Sequence, residues 1–251
     1  MDPCQSPDRG YDLNNTKEIG QEEQVLKKGV QIIDRKGLHY IADNGNTVKR
    51  FTPWLGDLFS FLYDPVMKNS IFPRKFEADM GKHYEILGQA LQTVHLQPVL
   101  ELAAGTGSAV NFLSNDNQYT GTDISPGLLR RALKNFKTAG FVEPGFYITG
   151  AEDLPFDDNT FSICLCVLSL NFFDDIKGVF KEIKRVLVPG GEFVCCVPVP
   201  ELNKLQHTIR GKLYSESELV GICKEHGFRF EGIPAENGAL LYFKALLEYG
   251  R

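Results

Sequence analysis

Between Val99 and Val199 the hydrophobic period of the chain switches repeatedly, and that alternation restricts it to very few folds. Apolar, β-prone runs at 99–102, 118–122, 146–150, 162–170 and 192–199 are separated by segments whose apolar residues recur at helical spacing. Leu128, Leu129, Ala132, Leu133 and Phe136 share one helix face, with Ser125 as its cap and Pro126 as its first residue. Ile176, Val179, Phe180, Ile183, Val186 and Leu187 mark a second helix, predicted to stop at Pro189-Gly190-Gly191. The run 162–170 is apolar almost throughout, as a strand covered on both faces should be. Strands and helices alternating in this way predict a parallel α/β sheet with right-handed crossovers.

The first of these strands runs into Glu101-Leu-Ala-Ala-Gly-Thr-Gly107, and Ala109, Val110 and Leu113 then follow at helical spacing. This reads as a strand, a tight turn and a helix start, where backbone N–H groups and glycines let a ligand approach the main chain. A phosphate loop requires a Lys after its last glycine, and none follows Gly107. A dinucleotide fingerprint starting at Gly105 requires a third glycine where Val110 stands. Glycines in a strand-to-helix turn are also common in α/β proteins with no ligand there. The second strand ends at Asp123, a position that faces the ligand crevice of a doubly wound sheet, where a carboxylate suits the two hydroxyls of a ribose.

Four segments then occur in order: Glu101 to Gly107, Gly121-Thr-Asp123-Ile-Ser125, Ala151-Glu-Asp-Leu-Pro-Phe156, and Glu182-Ile-Lys-Arg-Val-Leu-Val-Pro-Gly-Gly191. Together they resemble the class I S-adenosylmethionine-dependent methyltransferases, and within them the small-molecule group that includes the quinone-biosynthesis C-methyltransferases. The resemblance implies a Rossmann-like, doubly wound α/β fold. Its seven-stranded sheet has the order 3-2-1-4-5-7-6 with an antiparallel last strand, here preceded by an N-terminal helical and hairpin extension. It implies S-adenosyl-L-methionine as cofactor, with the backbone at Ala103, Gly105 and Gly107 against its tail and ribose. Glu101 supports the loop or the ammonium group, Asp123 holds the ribose, and Ile124 packs on the adenine. Ala151 and Glu152 reach the adenine edge, and the segment from Cys166 and Val167 to Ser169 lines the floor beneath the sulfonium. Three positions depart from the family pattern: Ala103 at the first glycine, Gly150 where many relatives carry Asp or Asn, and Ser162 in place of the Asp that commonly starts the fourth strand.

The organisation expected is a flexible N-terminus at 1–24, an extension and substrate or cofactor lid at 25–95, and a methyltransferase core at 96–251. In the extension, two short β-prone runs around Asp34-Arg-Lys-Gly37 predict a hairpin. An aromatic-rich segment follows, with Trp54, Phe59, Phe61, Tyr63 and Phe72, expected to form short helices broken at Pro65 and Pro73. Phe76, Met80, His83, Tyr84, Leu87, Leu91 and Val94 fall on one helical stripe, which turns His83 inward and favours a structural histidine over a general base. Tyr63, His83 and Asn171 are the candidates for the substrate site, and His207 and Tyr214 stand in the connection expected to form another wall. No catalytic base is assigned, because methyl transfer at an activated sulfonium depends mainly on alignment and desolvation.

A net charge of -5 argues against a nucleic-acid partner, whose phosphates call for a basic face. The partner expected is a small-molecule methyl acceptor. None of the six cysteines forms a Cys-x-x-Cys pair, so no metal site is expected and the thiols read as reduced core residues. The opening residues are polar, without the apolar core of a signal peptide, and no run is long enough for an integral membrane segment, so a cytoplasmic protein is expected. Ser215-x-x-Glu218 is a capping box opening a last helix that Gly227 ends, and two further strands complete the sheet. Three functions remain open: a small-molecule methyltransferase, a catalytically degenerate cofactor-binding or partner-binding member of the fold, and a nicotinamide-dependent oxidoreductase.

Overall fold

The computed structural model of the chain describes residues 26–43, 47–48, 51 and 64–248. Ten strands form one sheet: β1 (Ile32–Arg35), β2 (Leu38–Asp43), β3 (Thr47–Val48), β4 (Pro98–Leu102), β5 (Gln118–Asp123), β6 (Gly145–Ile148), β7 (Phe161–Val167), β8 (Leu187–Pro198), β9 (Phe228–Gly232) and β10 (Leu240–Leu247). Among the described residues the helices that accompany them are α1 (Met80–Ala90), α2 (Pro126–Thr138), α3 (Ile176–Val186) and α4 (Glu216–Glu225).

The strand order is β1-β2-β6-β5-β4-β7-β8-β10-β9, with β3 on β2. The seven strands from β6 to β9 in that order reproduce the expected 3-2-1-4-5-7-6, and β10 runs antiparallel to both β8 and β9. The sheet is wider than expected because the N-terminal hairpin joins it, β2 pairing parallel with β6 through His39↔Tyr147 and Tyr40↔Ile148. Lys36 and Gly37, both at positive φ, make the two-residue hairpin turn. Backbone groups on the outer edge of β6 thereby find partners.

Local chemistry explains most helix boundaries. The Ser125 side chain accepts from the Leu128 N–H at 3.2 Å, Pro126 opens α2, and Leu128, Leu129, Ala132 and Phe136 are buried. Ser215 and Glu218 form the reciprocal capping box of α4. Apolar layers cover both faces of the sheet, one led by α3 and α4 and the other by α2.

Four local expectations need correction. The segment after Gly107 makes one 3-10 turn, Ser108–Asn111, rather than a helix through Leu113. Asn111 Nδ2 caps the Ser108 carbonyl at 2.9 Å and Asn117 bonds the carbonyls of Val94 and Ser114, so side-chain amides take the groups a helix would use. Second, Pro73 does not break a helix: Met67–Phe76 winds as a π-helix around it. Third, α1 is shorter than the stripe from Phe76 to Val94, because Glu77 at φ 52° separates Phe76 from it. Fourth, α3 ends at Val186, and Pro189-Gly190-Gly191 lies inside β8 as a bulge between the pairs Phe161↔Leu187 and Ile163↔Glu192. No helix among the described residues is long and apolar enough to cross a membrane.

Gly107 carries a large packing constraint. It adopts φ 79°, and a Cβ there would lie 2.9 Å from both the Ala132 Cβ and the Phe136 ring. Gly107→Ala is therefore expected to lose about 2–4 kcal/mol of stability from left-handed strain and overpacking, read as a lower urea midpoint at unchanged slope. An unchanged midpoint would show that α2 does not press on the loop.

Candidate functional site

Strands β4, β5, β6 and β7 end on the same edge of the sheet, and their following loops converge there. The loop after β4 is held in an unusual backbone conformation. Ala103, Gly105 and Gly107 all have left-handed φ, of 50°, 56° and 79°. Ala103 thus bears a Cβ where glycine is favoured, and non-glycine residues in this region cost about 1–2 kcal/mol. Surrounding bonds fix the loop: Ala104 N–H donates to the Thr122 carbonyl at 2.8 Å, and Asn135 Nδ2 donates to the Thr106 carbonyl at 2.9 Å.

Asp123, at the end of β5, is the central tie. Its Oδ2 accepts from the Gly105 N–H at 3.0 Å and its Oδ1 from the Ser125 N–H at 2.9 Å, joining the loop to the cap of α2. A second tie comes from the extension. Thr106 Oγ1 donates to Asp64 Oδ1 at 2.5 Å, and Arg131 on α2 meets Asp64 Oδ2 at 3.2 Å. The segment around Asp64 is thereby strapped to the glycine loop.

Two cavities flank this loop. The larger, about 440 Å³, lies over the ends of β5 and β6 and is lined by Asp123, Ile124, Ala151, Glu152, Phe51 and Phe172 among others. The smaller, about 260 Å³, lies beneath α1 and the π-helix, with Glu101, Thr106, Met80, His83, Tyr84 and Val167 in its wall. Ala103, Gly105, Leu168 and Ser169 line both and form the seam. Leu168 is a further left-handed residue, at φ 59°, so both sides of the seam hold backbone in a costly conformation. A Cβ built on Gly105 would meet nothing nearer than 4.0 Å, which leaves an open approach to the main chain.

Glu101 is buried under the smaller cavity and accepts a hydrogen bond from the Tyr119 hydroxyl. Burial pushes its carboxyl up to about 8, against the opposing pull of the Tyr119 bond. His83 is also buried; burial lowers its pKa to about 4, which keeps the imidazole neutral at physiological pH.

Of the residues singled out from the sequence, the fold brings Ala103, Gly105, Asp123, Ile124, Ala151 and Glu152 to the larger cavity. It brings Glu101, Gly107, Val167 and His83 to the smaller. Cys166 is not brought to either: it is fully buried in the core beneath α3 and α4. Asn171 lines neither cavity, because its Nδ2 donates to the Arg210 carbonyl at 2.6 Å and its own carbonyl accepts from Lys212 N–H at 2.7 Å. It anchors the connection after β8. Nor do His207 and Tyr214 form a cavity wall; His207 faces Glu77 at 3.5 Å and Tyr214 is buried in the core. Tyr63, Trp54, Phe59 and Phe61 lie outside the described residues. Sequence reasoning missed Asp64, Thr106 and Tyr84, which reach the site through contacts between distant segments; Leu168 fell within the expected floor segment, but its left-handed backbone was not foreseen.

The remaining two sequence segments support the site. The Glu182 carboxylate accepts from the Leu154 N–H at 2.8 Å and pairs with Arg185, whose guanidinium also donates to the carbonyls of Leu154 and Phe156. The loop from Ala151 to Asp158 is thus clamped by α3.

Residues 100–195 match a family model described as a methyltransferase domain. The ubiquinone/menaquinone biosynthesis C-methyltransferase UbiE of Desulfotalea psychrophila is 37% identical over 110 residues, 43% of this chain and 44% of that protein. The demethylmenaquinone methyltransferase of Chlorobaculum tepidum is 33% identical over 144 residues, 54% of this chain and 56% of that one. The chain thus spans about half the length of these curated relatives. Among solved structures, YcgJ from Bacillus subtilis superposes with a TM-score of 0.58 at 18% identity, covering 67% of this chain and 100% of its own. A Thermotoga maritima protein described as a SAM-dependent methyltransferase, possible histamine N-methyltransferase, gives 0.56 at 19% identity, covering 77% and 98%. At these identities the structural likeness is one of fold. Residues 100–195 are thus similar to a methyltransferase domain, and the chain shares the α/β fold of these solved proteins.

Proposed function

We propose that this chain transfers a methyl group from S-adenosyl-L-methionine to a small aromatic acceptor of the quinone class. The observation that carries the reading is the pairing of the Asp123 carboxylate, next to the half-exposed Ile124, with the open face of Gly105 at the seam of the two cavities. A carboxylate beside an apolar shelf suits a ribose and an adenine, and an uncovered glycine main chain suits an amino-acid tail. On this reading Ala103, Gly105 and Gly107 present backbone to the tail and ribose, Asp123 holds the ribose hydroxyls, and Ile124 packs on the adenine. The Ala151 N–H and the Glu152 side chain meet its edge, Glu101 faces the ammonium group, and Val167 to Ser169 lie under the sulfonium. When bound, the cofactor supplies a methyl group already activated by positive sulfur. The chain's own task is then to align the acceptor and exclude water, and apolar walls such as Met67, Phe72 and Met80 do this without a general base.

The quinone class rests on the names of the two relatives, and a small acceptor also accords with the net charge of -5. The five described cysteines are all buried, with burial raising the pKa of Cys164, Cys195 and Cys196, so they persist as thiols; this favours the cytoplasm as the working compartment. The extension at 25–95 is assigned the lid and acceptor selectivity, since Asp64 reaches the glycine loop and the π-helix walls the smaller cavity.

Calorimetric titration with S-adenosylmethionine, S-adenosylhomocysteine and NADH tests the reading. Both adenosyl ligands should bind the wild-type chain, and Asp123→Ala and Asp123→Asn should each weaken them about tenfold or more. Binding of NADH alone, or of none of the three to folded protein, would overturn it. The Glu101 carboxyl gives a second expectation. Its folded pKa of about 8 exceeds the ordinary 4.5, so the folded chain keeps a proton that the unfolded chain releases, and stability contributed at acid pH is lost as pH rises through that window. Urea titrations between pH 5 and 8 should show a smaller loss of stability for Glu101→Gln than for wild type; equal slopes would mean Glu101 is ionised in the free protein.

A further inference from the structure

A chain of hydrogen bonds reaches the smaller cavity from the far side of α1. Asn237, before β10, accepts from the Asp79 N–H at 2.8 Å through Oδ1 and donates to the Asp79 carbonyl at 2.9 Å through Nδ2, which fixes the orientation of its amide. The same Nδ2 donates to the Tyr242 hydroxyl at 3.0 Å. With that oxygen accepting, the Tyr242 proton goes to one of its neighbours: His83 Nδ1 at 2.9 Å, or the thiol of Cys196. An imidazole nitrogen is the much stronger acceptor, so Nδ1 receives the proton and the ring proton resides on Nε2. Cys196, 3.9 Å from Nδ1 and held as a thiol by its burial, adds no acceptor that would reverse this. Among the described residues Nε2 has no protein partner, and His83 lines the smaller cavity while Tyr242 and Asn237 line neither cavity.

We propose that His83 presents a fixed Nε2–H donor that takes an anionic oxygen bound in the smaller cavity, with Tyr242 and Asn237 as positioning residues that set its tautomer. The inference rests on the methyl-transfer reading above. It excludes His83 as the base, since the ring's one basic lone pair is committed to Tyr242. The cavity suits an anion at that place. The Asp64 carboxylate is already engaged by Thr106 and Arg131, and the raised pKa of Glu101 keeps it protonated at neutral pH. Two sources carry the required oxygen: the carboxylate of the cofactor's amino-acid end, and the phenolate of an aromatic acceptor that has lost its proton to water before binding.

The test combines nitrogen NMR with two pairs of probes. In wild type the His83 Nε2 should resonate in the protonated range and Nδ1 in the unprotonated range; the reverse would overturn the proposal whatever binds. S-adenosylhomocysteine is compared with 5′-methylthioadenosine, which lacks the amino-acid end. With S-adenosylhomocysteine in place, 1-naphthol is compared with 1-methylnaphthalene, which lacks the oxygen. His83→Phe and Tyr242→Phe should each reduce affinity about tenfold for the oxygen-bearing member of one pair and leave the other member unchanged, and His83→Gln, which keeps a donor near Nε2, should restore most of it. Loss confined to S-adenosylhomocysteine identifies the cofactor carboxylate, and loss confined to 1-naphthol identifies the acceptor. Equal effects on both members of both pairs would mean that His83 only packs. If wild type binds neither nucleoside, the methyl-transfer reading fails separately, and the tautomer is still decided by the nitrogen shifts.

Discussion

The Asp123 carboxylate is the joint on which the site depends. By accepting one N–H from Gly105 and one from Ser125, it ties the loop after β4 to the first turn of α2 across a single side chain. Each bond satisfies a main-chain donor near a helix start or within a strained turn, where an unpaired buried N–H would be costly. The loop's left-handed residues are tolerated because their surroundings over-determine them: α2 packs on Gly107, Asn135 holds Thr106, and Asp64 straps the same threonine from the N-terminal side. One carboxylate therefore both shapes the loop and stands at the rim of the larger cavity, so on the proposed reading a substitution there touches loop shape and cofactor binding together.

A second support keeps the other wall in place. Glu182 and Arg185, three residues apart on α3, form a largely buried pair that also bonds the backbone of Leu154 and Phe156. Burial of such a pair is stabilising where the geometry satisfies most of its donors and acceptors. Here it fixes the loop that carries Ala151 and Glu152. The four sequence segments that first suggested the family thus divide by physical role: three make the cavity surface, and Glu182 with Arg185 in the fourth braces the third.

Much of this was legible in the sequence, because the signals are local. Hydrophobic period located the five strands from β4 to β8 and the α2 and α3 faces, and Ser125, Pro126 and the Ser215–Glu218 box marked helix starts that the structure reproduces. The Asp123 position followed from its place at a strand end. What was not legible depends on competition or on distance. Asn111 diverts the backbone that would continue a helix, Leu187 leaves α3 in extended conformation before Pro189 is reached, and a π-winding carries the chain past Pro73. The Asp64 strap and the Asn237-Tyr242-His83 relay join residues separated by tens to more than a hundred positions. Cys166 lines neither cavity for a simpler reason: strand alternation turns it to the core face, and its neighbour Val167 reaches the smaller cavity.

On the proposed reading the seam at Gly105 and Leu168 divides one bound cofactor between the two cavities. A crystal structure of the chain with S-adenosylhomocysteine decides this. The ribose should lie on Asp123 with the adenine against Ile124, and the amino-acid end should cross the Gly105 backbone towards Glu101. A nucleoside bound elsewhere, or one lying wholly in a single cavity without contact to Asp123, would contradict it.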